Sequence, residues 1–152
     1  MRRRIELDKE FLEEFKKEFP GVEIKEIDGK PTVIVDKEEI VSVCDFLKKR
    51  GYVLPVSISG VELEDRFEIV YHLFSISRAT WCVVETFTSK DDPFVPSIYE
   101  VFRGADWQER EIYDMFGIVF EGHPDLRRIL LEEGEDDYFP LRKDFREDGS
   151  PN

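Results

Sequence analysis

The sequence has 152 residues, with 35 Asp and Glu against 22 Lys and Arg, hence a formal net charge of -13. A chain of this size buries roughly two-thirds of the surface its unfolded form exposes, so one domain can stand without a disulfide or metal staple. The acidic balance, with a pI near 4.6, opposes nucleic acid as a partner, because that affinity comes from Lys and Arg displacing counterions from phosphates.

No uninterrupted apolar run approaches the roughly 18 residues that cross a bilayer, and Met1-Arg2-Arg3-Arg4 leads into an acidic amphipathic segment instead of a signal-peptide core. The expectation is a soluble chain that is not exported. Cys44 and Cys82 have no CxxC spacing and read as small core hydrophobes. Charged residues make up 38%, and Gln108 and Asn152 are the only side-chain amides, a composition that resembles a hyperthermophile's.

In chain order, Leu7, Phe11, Leu12, Phe15 and Phe19 share one face of a helix expected from Ile5 to Phe19, which Pro20-Gly21 ends. Val22 to Ile27 and Thr32 to Val35 read as strands around the hairpin dipeptide Asp28-Gly29. A second helix carries the stripe Ile40, Val43, Cys44 and Leu47, with Asp36 and Glu39 as a capping box and Lys48, Lys49 and Arg50 before Gly51. From Tyr52 to Thr88 the period falls to two, with turns expected at Ser59-Gly60 and at Ser77 to Thr80. Phe67 to Ile76, apolar on both faces, takes an inner position, while Pro55 assigns its own strand to an edge or a bulge.

After Thr88, two prolines disfavour regular structure in Asp91 to Pro96. Ser97 with Glu100, and Asp106 with Glu109, spell capping boxes for short helices that stop at Gly104 and Gly117, and an extended arm is expected from Ile118. The fold class is therefore α+β: an antiparallel meander with helices on one face, then short helices and an extended C-terminal arm. Residues 1–131 form the domain, and 132–152, which include the acidic run Glu132 to Asp137, a docking tail.

The densest information lies between Trp107 and Leu131. On a helix there, Gln108, Ile112, Met115 and Phe116 share the apolar face, Arg110 and Asp114 are four apart and suited to pair, and Glu111 points elsewhere. His123-Pro124-Asp125 makes a rigid corner, and Arg127-Arg128 add planar donors that fit carboxylates. The run Glu109-Arg110-Glu111, Tyr113-Asp114-Met115-Phe116-Gly117-Ile118 and Phe120-Glu121-Gly122-His123-Pro124-Asp125-Leu126-Arg127-Arg128 resembles the hallmark of the thirty-kilodalton hydrophilic subunit of respiratory complex I and its membrane-bound [NiFe] hydrogenase relatives. The likeness covers roughly half the chain, from Tyr71 to Phe145, and includes Pro140-Leu141-Arg142-Lys143-Asp144-Phe145.

The resemblance implies a non-catalytic subunit of a peripheral arm on the cytoplasmic side of the membrane. It would dock on the large subunit with the quinone pocket or nickel-iron site, beside an iron-sulfur subunit, and touch the membrane only through the complex. It implies no cofactor in this chain, in keeping with the lack of clustered Cys or His ligands and of any glycine-rich phosphate loop. Glu109, Arg110, Glu111, Asp114, His123, Asp125, Arg127, Arg128, Leu141, Arg142, Lys143 and Phe145 are carried over as interface or local scaffold residues. Composition inclines the expectation toward an archaeal membrane-bound hydrogenase or its sulfur-reducing or formate-linked relatives over a quinone-reducing enzyme. Two alternatives have other chemistry. One is a metallohydrolase using Glu109, Glu111, Asp114, Glu121 and His123, disfavoured because Glu109 and Glu111 do not share a helix face; the other is a free-standing acidic adaptor.

Overall fold

The computed structural model describes residues 9–132 and 138–145. Helix α1 (Lys9–Glu18) buries Phe11 and Phe15, and Phe19 follows just beyond its end. These three rings gather around Phe46 of α2 (Ile40–Lys49), with centroids 6.2, 5.3 and 5.5 Å away. Such spacing suits tilted and edge-to-face aromatic packing. The expected start at Ile5 falls outside the described residues.

Strands β1 (Glu23–Ile27) and β2 (Lys30–Ile34) are joined by Asp28 and Gly29, whose φ angles of 51° and 73° are those of a two-residue primed turn. Asp36 does not cap α2 through its carboxylate, as the sequence suggested. Instead Lys37–Glu39 form a 3-10 turn, and the Asp36 carbonyl accepts from the Glu39 N–H at 2.9 Å. Lys37 is drawn away to Phe94, with its Nζ 3.2 Å from the ring centroid, and a tightened first turn accommodates that tether. The other end of α2 is as expected: Gly51 has φ 96°, and the Tyr52 and Gly51 N–H groups bond back to the Leu47 and Lys48 carbonyls.

Strands β3 (Leu54–Glu62), β4 (Arg66–Ser75) and β5 (Thr80–Ser89) form the expected meander, but the whole sheet is mixed. Its order is β1-β2-β5-β4-β3, and β2 runs parallel to β5. The chain between them, α2 plus two strands, returns β2's neighbour in the same direction. The Val35 N–H donates to the Glu85 carbonyl at 3.0 Å and the Thr86 hydroxyl to the Val35 carbonyl at 2.9 Å, extending that seam. Pro55 lies on edge strand β3 with a register shift between it and Ser57.

Ser59-Gly60 is not a turn. Both residues pair within β3, opposite Val70 and Ile69, and the chain reverses after Glu62, where the Leu63 N–H donates to the Arg66 carbonyl. Gly60 is there because α3 (Asp106–Phe116) passes so near that a Cβ would lie 3.0 Å from the Phe116 ring and 3.2 Å from Ile112. Phe67, Ile69, Tyr71 and Leu73 bury alternate positions of β4 in a single core with Cys44, Cys82 and the α1 and α2 side chains, giving the α+β layering.

Downstream, β6 (Phe94–Pro96) pairs in parallel with β7 (Val119–Glu121), so three residues of the proline-bounded segment are regular after all. No helix follows Ser97 within 97–102. The Ile98 carbonyl closes turns with Val101 and Phe102, and a 3-10 turn at Arg103–Ala105 leads into α3. Neither proposed capping box forms: the Ser97 hydroxyl and Glu109 carboxylate bind one another, and Asp106 sits beside His123. Gly117, at φ 74°, ends α3 as expected.

Candidate functional site

Helix α3 carries most of the residues singled out from the sequence, and their burial divides them. Glu109 and Asp114 have no solvent exposure, while Arg110 and Arg128 retain 9% and 7%. Glu111, Asp125 and Arg127 are exposed, and the His123 side chain is shielded.

Arg110 and Asp114 do not pair with each other. Asp114 instead holds the arm: its Oδ1 lies 2.8 Å from Arg128 Nη1, and its Oδ2 accepts the backbone N–H groups of Ile129, Leu130 and Leu131 at 3.2, 2.7 and 3.0 Å. Three consecutive N–H groups converging on one oxygen form an anion nest. Burial would raise the Asp114 carboxyl, but the Arg128 hydrogen bond and the nest outweigh it and hold the group below the usual carboxylate range. Arg128 also donates to the Tyr138 carbonyl at 2.9 Å and lies 5.1 Å from the Phe139 ring centroid. Arg110 donates to the carbonyls of Arg127 and Arg128 at 3.2 and 3.3 Å, so both ends of that dipeptide are fastened to α3.

The remaining contacts continue this pattern. Arg142 Nε donates to the Phe116 carbonyl at the end of α3 at 2.6 Å, and the Leu141 N–H donates to the Met115 carbonyl at 3.1 Å. The Lys143 N–H donates to Glu62 on β3, and Phe145 stacks on Tyr138 at 5.5 Å. Residues 138–145 therefore lie against this chain's own α3 and β3. His123 Nδ1 accepts the Asp125 N–H at 3.0 Å, which leaves Nε2 as donor to the Asp106 carbonyl, 3.3 Å away, with the Asp106 carboxylate 3.0 Å from the same nitrogen, and makes it a bonded corner residue. Arg127 reaches Asp125 at 3.0 Å on the surface.

At the other end of α3, Glu109 accepts from the Ser97 hydroxyl at 2.6 Å and the Ile98 N–H at 2.8 Å. Burial pushes its carboxyl up to about 7, against the lowering effect of those two donors. Gln108, read from sequence as part of an apolar face, serves β3: its Oε1 accepts the Ile58 N–H at 2.6 Å and its Nε2 donates to the Pro55 carbonyl at 3.1 Å. The amide thus replaces a missing strand partner across the bulge, a role that the scarcity of amides in the composition could have flagged. The carboxylates of the metallohydrolase alternative diverge, since Glu109 faces Ser97 and Ile98 while Asp114 faces Arg128, and no metal-type cluster occurs among the described residues.

The fold is thus an α+β domain whose buried charges fasten an irregular C-terminal segment to one helix. Its sequence matches the family model described as the 30 Kd subunit of respiratory-chain NADH dehydrogenase over residues 33–151. The chain belongs to that family. The match begins well before Tyr71, so the end of β2 and all of α2 and β3 carry family sequence as well as pattern. The C 1 subunit of NADH-quinone oxidoreductase from Rhizobium meliloti (strain 1021) is 46% identical, the match covering 77% of this chain and 60% of the relative. The C subunit of the same enzyme from Xanthobacter autotrophicus (strain ATCC BAA-1158 / Py2) is also 46% identical, over 77% of this chain and 58% of its own. The chain thus spans about 60% of the length of such curated relatives. Among solved structures, a trypsin-resistant fragment of Nqo5 superposes with TM-score 0.68 at 30% identity, covering 77% of this chain and 97% of the fragment. The membrane-bound sulfane sulfur reductase, an archaeal respiratory membrane complex, contains a chain that superposes with TM-score 0.80 at 25% identity, covering 91% of this chain and 85% of that one.

Proposed function

We propose that this chain is a structural, non-catalytic subunit of the peripheral arm of a complex I-like membrane oxidoreductase. The observation that carries this reading is the family match over residues 33–151. It docks on the large subunit that houses the quinone pocket, next to an iron-sulfur subunit on the cytoplasmic side, and the electron transfer it supports drives ion translocation in membrane partners. No helix among the described residues is long and apolar enough to cross a membrane, which fits attachment through other subunits. The 46% identity to subunits named for NADH-quinone oxidoreduction favours that assembly over the hydrogenase toward which composition inclined. A sulfur-reducing or hydrogenase-type arm is the second reading, supported by the TM-score of 0.80 to the archaeal sulfane sulfur reductase.

In this reading Glu109, Arg110, Asp114 and Arg128 act as internal braces, and the docking face is the outer side they shape. Trp107, Leu130 and Leu141, on α3 and the segments bonded to it, expose 62, 62 and 56% of their surface, with Glu111, Asp125 and Arg127 as charged neighbours in sequence, and we assign them to that face. Large exposed aromatic and aliphatic side chains are the usual anchors of a protein interface. The test is native separation of a mild detergent extract of membranes carrying a tagged copy. The tag is expected in a particle far larger than the 18.0 kDa chain, together with a large subunit. Recovery solely at the chain's own mass would overturn the proposal, and NADH-quinone activity against sulfane sulfur or hydrogen activity in the particle separates the two readings.

A further inference from the structure

The described helices pack on one face of the five-stranded sheet, where Phe67, Ile69, Tyr71 and Leu73 of β4 enter the core. The alternate residues Glu68, Val70, His72 and Phe74 point the other way, and their cross-strand partners on β5 are Phe87, Glu85, Val83 and Trp81. None of the apolar residues among these eight belongs to the core or packs against it. A sheet face left to water is normally polar. This one brings Phe74 and Trp81 into tilted ring contact at 4.8 Å, and at its rim edge strand β3 adds Leu54 and Val61, each 41% exposed.

Two carboxylates interrupt the apolar surface. Glu68 and Glu85 are diagonal neighbours, since Val70 is opposite Glu85 and Phe87 opposite Glu68. Lys25, Lys30 and Arg66 share this side of the sheet and are engaged elsewhere: Lys25 bonds Glu23 at 3.1 Å, Lys30 lies over the Trp81 ring at 5.1 Å, and the Arg66 guanidinium lies over Phe87 at 4.0 Å. Neither Glu68 nor Glu85 has an ion-pair partner among the described residues. Burial and then Glu68 raise the Glu85 carboxyl, and Lys25 opposes them only in part.

We propose that this outer sheet face docks a segment of a second protein, one that lays apolar side chains over Phe74, Trp81 and Val83 and delivers an arginine or lysine to the Glu68–Glu85 pair. Charge complementarity selects that occupant. A purely apolar segment would cover two like charges without a counter-ion, which is costly. A second copy of this chain would bring two more carboxylates, with cations that are already in use. Arginine suits the pair best, because its planar fork can meet both carboxylates at once. The face lies across the sheet from α3, whose Ile112 and Phe116 pack on the core side near Gly60. The chain is thereby held from both sides of its sheet. This second face belongs to the same assembly as the α3 face but uses different residues, so either can fail alone.

The test is site-specific photo-cross-linking in the native membrane particle, with benzoylphenylalanine placed in the tagged full chain at Leu54 or Val61, and at Leu130 for the α3 face. Linked peptides are read by mass spectrometry. Leu54 and Val61 are expected to link a segment of another chain that carries Arg or Lys among apolar residues. Glu85→Gln relieves the repulsion with Glu68, so the melting temperature should not fall, yet the cross-link yield should drop severalfold, which a merely structural role would not produce. Glu85→Lys should lose the cross-link, and reversing the linked cation to Glu should restore it. Links from Leu130 with none from Leu54 or Val61 would overturn the sheet face and leave the α3 face standing. A link to a second copy, a linked segment without a cation, or an unchanged yield in Glu85→Gln would also overturn it. A chain recovered at its own mass, linked from none of the three positions, would overturn both faces.

Discussion

Asp114 and Glu109 lie on the same helix, both without solvent exposure, yet their surroundings favour opposite protonation states. The difference is the supply of donors: one carboxylate has a guanidinium and three backbone N–H groups, the other two neutral donors. Truncating Asp114 to Ala strands the enclosed Arg128 charge, and breaking such a pair typically costs about 3–5 kcal/mol, readable by urea unfolding. Arg127→Ala should change stability by no more than about 0.5 kcal/mol, because the Arg127 and Asp125 side chains are both 58% exposed. Since the folded Asp114 carboxyl is held low, its contribution is complete above the unfolded value of about 3.9 and is lost as pH falls through the folded one. Acid titration below about pH 4 should therefore release residues 128–131 first, seen as new exchange or proteolysis there, and Asp114→Asn should abolish the acid step. If the segment stays protected to pH 2, the nest is not what holds it.

At the level of elements, glycines decide how closely α3 and the arm can approach the sheet. A Cβ at Gly117 would sit 2.6 Å from the Phe139 ring and 2.8 Å from Arg142, on a backbone at φ 74°. Gly117→Ala is thus expected to destabilise by about 1–2 kcal/mol from the left-handed backbone alone, and to displace residues 139–142, measurable as a lower melting temperature and earlier proteolysis of the tail. Helix α3, α2, the hairpin and the meander were legible because each has its own period or turn signal. The capping boxes were legible and wrong: Ser97, Glu109 and Asp106 have capping chemistry, but tertiary partners claimed their side chains. Arg110 and Asp114 looked like a helix pair for the same reason, since spacing identifies neighbours on one helix and is blind to an arm without periodicity that folds back over it. Gly60 likewise looked like a turn because close packing and chain reversal both select glycine.

For the whole molecule, the family signature was readable because it is long and ordered, whereas the parallel join of β2 to β5 was not, because nothing local encodes which edge a hairpin selects. The proposed docking face can be separated from stability by substitution. Leu130→Glu and Trp107→Glu alter side chains with 62% exposure, so the melting temperature should stay within a few degrees, while recovery with the large subunit should fall severalfold. Full recovery of both variants would count against that face.

The parallel seam also orders events during synthesis. Thr32 leaves the ribosome about fifty residues ahead of Val83, its opposite number across the seam. At roughly 5–20 residues per second the first hairpin waits several seconds with its inner edge unclaimed. A nascent chain halted before β5 should present that edge to chaperones, and one extended past it should not.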